Sequence, residues 1–286
     1  MRFWIERDDR MDVKVIFQTA RCVTLEMSDG SIFESLAEKE IRLNGNYYGK
    51  TRRVISTVYG LKPDTEYVVE VRAGEEVREI KVKTDYEFVT LNVRDFGAKG
   101  DGEQDDTGFI QAAVMCCPKG GRVLIPEGVY KITNLFLKSD LRLELAKGAV
   151  LSGWTDRERF PVLPGVIESY DEKEEYYLGT WEGNPLDSFA SVITGVNVEN
   201  VEIYGQGGID GNSGPDNWWF DPKTRRGAFR PRMIFLNHCR NVVVQGLRVQ
   251  NSPSWNLHPY FSDHLRFLDL TVLNPKDSPN TDGLDP

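Results

Sequence analysis

Asn200-Val201-Glu202-Ile203, Asn241-Val242-Val243-Val244 and His264-Leu265-Arg266-Phe267 begin successive units of the chain in the same way, with one polar residue and then a short β-prone run. The last two lie 23 residues apart, and the first two 41 apart because an inserted loop, about residues 212–230, separates them. Asp140-Leu141-Arg142-Leu143-Glu144-Leu145 is an earlier unit of the same form. A period in the low twenties made of short strands belongs to a solenoid, because no single unit can bury its apolar face and stacking buries it for all. The L-x-x-L-x-L-x-x-N spacing of leucine-rich repeats is missing, so the pattern predicts a right-handed parallel β-helix over residues 87–286. Asp106 or Thr107 can N-cap a helix running through Phe109 to Met115. That helix would cover the open N-terminal end, where bare strand edges otherwise template aggregation.

Residues 1–86 read differently, as a small β-sandwich that makes the whole chain all-β. Short runs such as Val13-Lys14-Val15-Ile16-Phe17 and Arg53-Val54-Ile55-Ser56-Thr57-Val58 sit between turn signals such as Ser28-Asp29-Gly30 and Asn44-Gly45. Leu61-Lys62-Pro63-Asp64-Thr65-Glu66-Tyr67 resembles the L-x-P-x-T-x-Y signature of fibronectin type III domains, with a Tyr that can pack at a sandwich corner.

Composition narrows the function classes. With 40% hydrophobic residues and 11% aromatics the chain can build cores, which excludes intrinsic disorder. No apolar run approaches the ~20 residues of a membrane span. The start, Met1-Arg2-Phe3-Trp4-Ile5-Glu6-Arg7, is broken by charges, so the reading is a soluble, cytoplasmic chain. The net charge is −9, and residues 1–86 carry 15 basic against 16 acidic groups, leaving 20 against 28 for the rest. Such a surface repels nucleic acid and anionic lipid, so neither is expected as a partner. Cys22, Cys116, Cys117 and Cys239 lack metal-ligand spacing and read as free buried thiols.

Some motifs dissolve in context. Asp95-Phe96-Gly97 matches the kinase metal-binding triplet, but no other kinase landmark precedes it. Gly205-Gln206-Gly207-Gly208 sits in a coil rather than a βα unit, which removes the dinucleotide reading. Asp105-Asp106 could be an acid/base pair, yet its place before a helix favours capping.

The C-terminal edge is richer. Leu257-His258-Pro259 recurs 27 residues later as Leu284-Asp285-Pro286. This register puts Arg232, Trp255 and Asp282 in one row, and Phe235, His258 and Asp285 in another. Cation, ring and carboxylate stacked along one sheet suit a sugar acid. Asp282 and Asp285 should face opposite ways on a regular strand unless Gly283 breaks it. The other reading makes Asn280, Thr281 and Asp282 a polar turn stack inside the coil corner. In the inserted loop, Trp218-Trp219-Phe220 precede Lys223, Arg225, Arg226, Arg230 and Arg232, with only Asp221 opposing, which is the patch a polyanion would need.

Asn280-Thr281-Asp282-Gly283 resembles the N-T-D-G signature of family 28 glycoside hydrolases, the polygalacturonases. Asp95 to Gly102 with Asp105-Asp106-Thr107, Gly208-Ile209-Asp210-Gly211 with Trp218-Trp219, and Asn251-Ser252-Pro253-Ser254-Trp255 are similar to earlier landmarks of that family. The likeness covers roughly residues 90–286, and a fibronectin-like module ahead of the coils resembles its exo-acting members. It implies inverting hydrolysis of polygalacturonate with no cofactor or metal, Asp282 activating water, Asp285 supporting it, and His258, Trp255, Arg230 and Arg232 as substrate contacts. The family pattern continues past N-T-D-G with a G/Q-D-D pair, a G-H-G histidine and an R-I-K triplet, none of which follows here. The resemblance therefore places the proton donor beyond Pro286, and the exposed last coil is expected to lower solubility.

Two alternatives remain. A pectate-lyase-type β-elimination needs Ca²⁺, for which the acidic run Glu168-Ser169-Tyr170-Asp171-Glu172-Lys173-Glu174-Glu175 is the one dense cluster. A non-catalytic reading has the chain binding pectic oligomers without cleaving them.

Overall fold

A computed structural model describes residues 11–166 and 178–286. The chain divides into two compact units, Met1–Glu87 and Phe88–Pro286. In the first, a three-stranded antiparallel sheet (Asp12–Gln18, Cys22–Ser28, Ile55–Tyr59) faces a four-stranded one (Asn46–Arg53, Glu34–Leu43, Glu66–Ala73, Glu76–Lys83). Val23, Leu25, Val58, Val69 and Val71 are fully buried between them. The Tyr67 hydroxyl accepts a hydrogen bond from the Lys62 amide at 2.9 Å, which pins the turn to the strand after it.

The second unit is a parallel β-helix built of three sheets. The first stacks Thr90–Asn92, Arg122–Ile125, Leu141–Leu145, Glu199–Gly205, Arg240–Gln245 and Asp263–Leu268, and the second stacks the strands that follow the next turn of each coil. The third holds Leu135–Phe136, Ile193–Val196, Ile234–Asn237 and Leu257–Tyr260, and Leu284 bridges onto Leu257. Inward residues align coil on coil: Leu141, Val201, Val242 and Leu265 form one row and Leu143, Ile203, Val244 and Phe267 the next. A row of aliphatics at strand spacing, ~4.8 Å, gives each side chain close neighbours above and below, and the core runs the length of the stack.

The polar residues that mark the repeat have a backbone reason. Asp140, Asn200, Asn241 and His264 all sit at φ between 53° and 57°, the left-handed turn that feeds the chain into the first sheet. Asn and Asp tolerate that turn better than other non-glycine residues. Here they also bond one another, Asn241 Nδ2 donating to Asn200 Oδ1 at 2.9 Å and Asn200 Nδ2 to Asp140 Oδ1 at 3.1 Å.

The helix α1 spans Thr107–Cys116 and buries Ile110, Ala113 and Val114 in the coil core. The Gln111 side chain exchanges hydrogen bonds with the Phe136 amide and carbonyl, 2.7 and 2.9 Å, and so pairs the edge of the third sheet's first strand. The capping expectation needs a correction: Asp105 Oδ1 accepts from the Thr107 amide, whereas the fully buried Asp106 turns away. Its carboxylate accepts from the Lys99 and Gly100 amides and Gln104 Nε2, and so ties down the preceding turn. Cys116 is exposed rather than buried, and the other three thiols are buried as expected.

Candidate functional site

The third sheet carries the residues singled out by sequence, and the hydrogen bonds fix their register. Leu257 pairs with Ile234 and bridges to Leu284; Asn256 and Leu257 donate their amides to Asp282 O and Gly283 O at 3.0 and 3.2 Å, and Asp285 donates to Leu257 O at 2.9 Å. Arg232, Trp255 and Asp282 therefore occupy equivalent positions on three coils, as do Phe235, His258 and Asp285. Gly283 sits at a bend, so the segment is not a regular strand. Asp282 is exposed, Asp285 is half-buried, and the two carboxyls lie within electrostatic reach of one another. Burial and the Asp282 charge both push the Asp285 carboxyl above the usual carboxylate range, and Arg232 acts in the opposite sense. Asp285 Oδ2 is buried with no hydrogen-bond partner among the described residues.

The two arginines are not where a substrate contact would put them. Arg230 is 3% exposed and Arg232 2%. Arg230 Nη1 donates to Pro253 O at 2.7 Å and Pro279 O at 3.1 Å, and Nη2 donates to Asn280 Oδ1 at 2.7 Å. Arg232 donates to Ser188 Oγ at 3.1 Å and to Thr180 O. Around it stand the rings of Trp181, Trp255, Phe235 and Phe229, with centroids 5.5–5.9 Å from the guanidinium carbon. Ring faces supply part of the charge stabilisation that water or a carboxylate would otherwise give. Burial and neighbouring arginines lower Arg230 to about 10 and Arg232 to about 9, so both remain cations at neutral pH. Arg230 and Arg232, the candidate substrate contacts, thus turn their guanidiniums to acceptors inside the fold rather than to solvent.

His258 is also buried, at 6% exposure, with its ring 5.0 Å from Phe235 and 4.9 Å from Trp255. Burial, with Arg232 adding repulsion, drives its pKa down to about 3, so the ring is neutral. Trp255 keeps partial exposure.

The basic patch of the inserted loop dissolves in the same way. Arg225 pairs with Asp187 at 2.7 Å and Arg226 with Asp221 at 3.2 Å, leaving Lys223 exposed and without an ion pair among the described residues. Trp218 is fully buried against Phe160, Phe189 and Ala228, and Trp219 Nε1 donates to Ser252 O at 3.0 Å. Only Phe220 of the three aromatics is well exposed.

Trp181 is the residue the sequence reading missed. It lies on a two-residue hairpin, Thr180–Trp181 against Asn184–Pro185, whose turn residues Glu182 and Gly183 both have positive φ. Its ring stacks on Trp255 with centroids 4.2 Å apart and planes 8° from parallel. The Trp181-Glu182-Gly183-Asn184 turn was the available signal, but the partner lies over seventy residues away and no spacing announces it. The acidic run 168–175, offered for calcium, lies outside the described residues.

The arrangement offers an exposed carboxylate that can accept a proton, a neighbouring carboxyl raised above the usual carboxylate range, and an aromatic pair that includes Trp255, the equivalent of Asp282 on the preceding coil. Comparison with known proteins bears on the family and the fold. Residues 172–286 match the model for glycosyl hydrolases family 28, and residues 90–153 match one described as rhamnogalacturonase A/epimerase, pectate lyase-like. The chain is 33% identical over 201 residues to a probable polygalacturonase of Vitis vinifera, covering 67% of this chain and 38% of that protein. It is 32% identical to an exo-poly-alpha-D-galacturonosidase of Dickeya chrysanthemi, covering 68% and 32%. The chain thus spans well under half the length of these curated relatives. The structure of the Yersinia enterocolitica family 28 exopolygalacturonase superposes with a TM-score of 0.69 over 96% of this chain and 60% of that one, at 22% identity, a likeness of fold. The Thermotoga maritima exopolygalacturonase superposes with a TM-score of 0.54 at 28% identity, covering 69% and 49%.

Proposed function

Because the coil region of this chain belongs to family 28 of the glycosyl hydrolases, we propose that it takes part in inverting hydrolysis of the α-1,4-galacturonosidic bonds of polygalacturonate, released from chain ends. One observation carries the reading: Asp282 is exposed while its backbone is tied to the preceding coil at Asn256, in the same row as Trp255. A carboxylate so held can take the proton of a water directed at the anomeric carbon, while a second, protonated carboxyl ~6.5–9.5 Å away, which family likeness places after Asp285 in the chain, would give its proton to the leaving oxygen. Asp285, half-buried beside Asp282 and with its carboxyl raised above the usual carboxylate range by burial and by the Asp282 charge, supports Asp282 from the neighbouring position. The stacked Trp181 and Trp255 rings offer a face to a sugar. Likeness to proteins described as exo-acting supports cleavage at chain ends.

Digestion of polygalacturonate with size analysis of the products tests this reading. Saturated galacturonate monomer is the expected product; a ladder of oligomers would make the action endo, and UV-absorbing unsaturated ends would make it a lyase. Asp282→Asn should lower turnover ~10²–10⁴-fold, as expected for loss of a general base. Unchanged turnover in a correctly folded Asp282→Asn protein would remove Asp282 from the mechanism.

A further inference from the structure

We infer that Arg230, together with Asn280, forms an internal clamp that sets the position of the Asp282 carboxylate, which makes Arg230 a positioning residue rather than a substrate contact. The inference rests on Asp282 being the water-activating group.

Arg230 ends the loop inserted between two coils, and its guanidinium reaches across the next two. One Nη1 group spans Pro253 O on the first and Pro279 O on the second, while Nη2 holds the Asn280 side chain. Asn280 is itself in the left-handed conformation at φ 56°, so gripping its side chain fixes the direction in which the chain leaves towards Asp282. Just beyond the clamp, the fully buried Asn256 donates from Nδ2 to Thr281 O and Asp282 O, both at 3.0 Å, and its amide also donates to Asp282 O. Every residue from Pro279 to Asp282 is therefore held by Arg230 or Asn256. The planar fork of arginine is what bridges acceptors on two coils at once; a lysine ammonium on a flexible stem does not reproduce that geometry. Among the described residues the cation is buried with no carboxylate in hydrogen-bonding contact, which is an unfavourable place for a charge serving stability alone.

Amide hydrogen exchange in the full chain reads the clamp without requiring activity. The amides of Asn256 and Leu257 bond to Asp282 O and Gly283 O, so they report whether that segment stays docked. Arg230→Lys and Asn280→Ala should each accelerate their exchange ~10-fold or more while the core amides of Val242 and Val244 hold. Asn280→Asp keeps an acceptor for Nη2 and should restore protection. In the active protein, the first two variants should lower kcat ~10–100-fold with KM within about two-fold, since a misplaced base costs chemistry rather than binding. Unchanged exchange at Asn256 and Leu257 in both variants overturns the clamp. Faster exchange with unchanged kcat overturns its link to turnover. A parent protein without hydrolase activity counts against the proposed function instead, and the exchange readout still decides the clamp.

Discussion

Gly205 is where a single methyl group should do most damage to the coil. It sits at φ +130°, and a Cβ there would fall inside the contact distance of Leu145 O and 2.9 Å from the Leu145 carbonyl carbon on the preceding coil. Leu145 O is not free to move, because it accepts from both the Gln206 and Gly207 amides at 3.0 Å. Forcing the φ costs about 1–3 kcal/mol, and loosening two hydrogen bonds costs about 1 kcal/mol each. The reduced unfolded-state entropy of alanine returns about 0.4–1 kcal/mol. Gly205→Ala should therefore destabilise the β-helix by about 3 kcal/mol. Gly227→Ala is the control: φ is +78°, but the nearest heavy atom is a Phe189 ring carbon at 3.5 Å, so only the backbone strain of about 1 kcal/mol applies. Urea unfolding followed by tryptophan fluorescence isolates the right unit, since five of the six tryptophans (154, 181, 218, 219 and 255) lie in the coils. If the two variants differ by less than about 0.5 kcal/mol, close coil-to-coil approach is not what reserves that position for glycine.

Two further outcomes follow from the buried histidine and the last coil. His258 has a folded pKa of about 3 against 6.5 unfolded, so the unfolded chain binds its proton first and stability falls as pH drops from 6.5 towards 3. The loss is on the order of 4 kcal/mol. It should appear in full as the difference between the parent and His258→Phe stability profiles; an undiminished slope in the variant would refute the assignment. Asp263–Leu268 and Thr271–Leu273 are the outer strands of their sheets, with Leu265, Phe267, Leu270 and Val272 half-buried and Leu284 49% exposed. Open edges of this kind pair with other edges. Sedimentation should show mass rising with concentration, and a clean monomer throughout would contradict it.

The sequence by itself determined the coils and their register. Strand alternation and a tolerated left-handed turn are local properties, so Asn200, Asn241 and His264 could be recognised as equivalent from residue type and spacing alone. The same spacing was enough to set Leu284 on Leu257 and to put Trp255 and Asp282 in one row, because each stacked strand inherits its neighbour's register. Burial was decided elsewhere. Arg230 and Arg232 look like surface cations in a loop, and only the packing of segments fifty residues away makes them internal, through Asn280 for one and Thr180 for the other. The Trp181 stack has the same origin, a hairpin folded over a coil that no period predicts. The bend at Gly283 does not depend on glycine, since its φ is not left-handed and a Cβ there would meet nothing; it is held by the amides of Asn256 and Leu257 on the coil before it. Local chemistry writes the repeat; which charges face water depends on long-range contacts that leave no periodic trace.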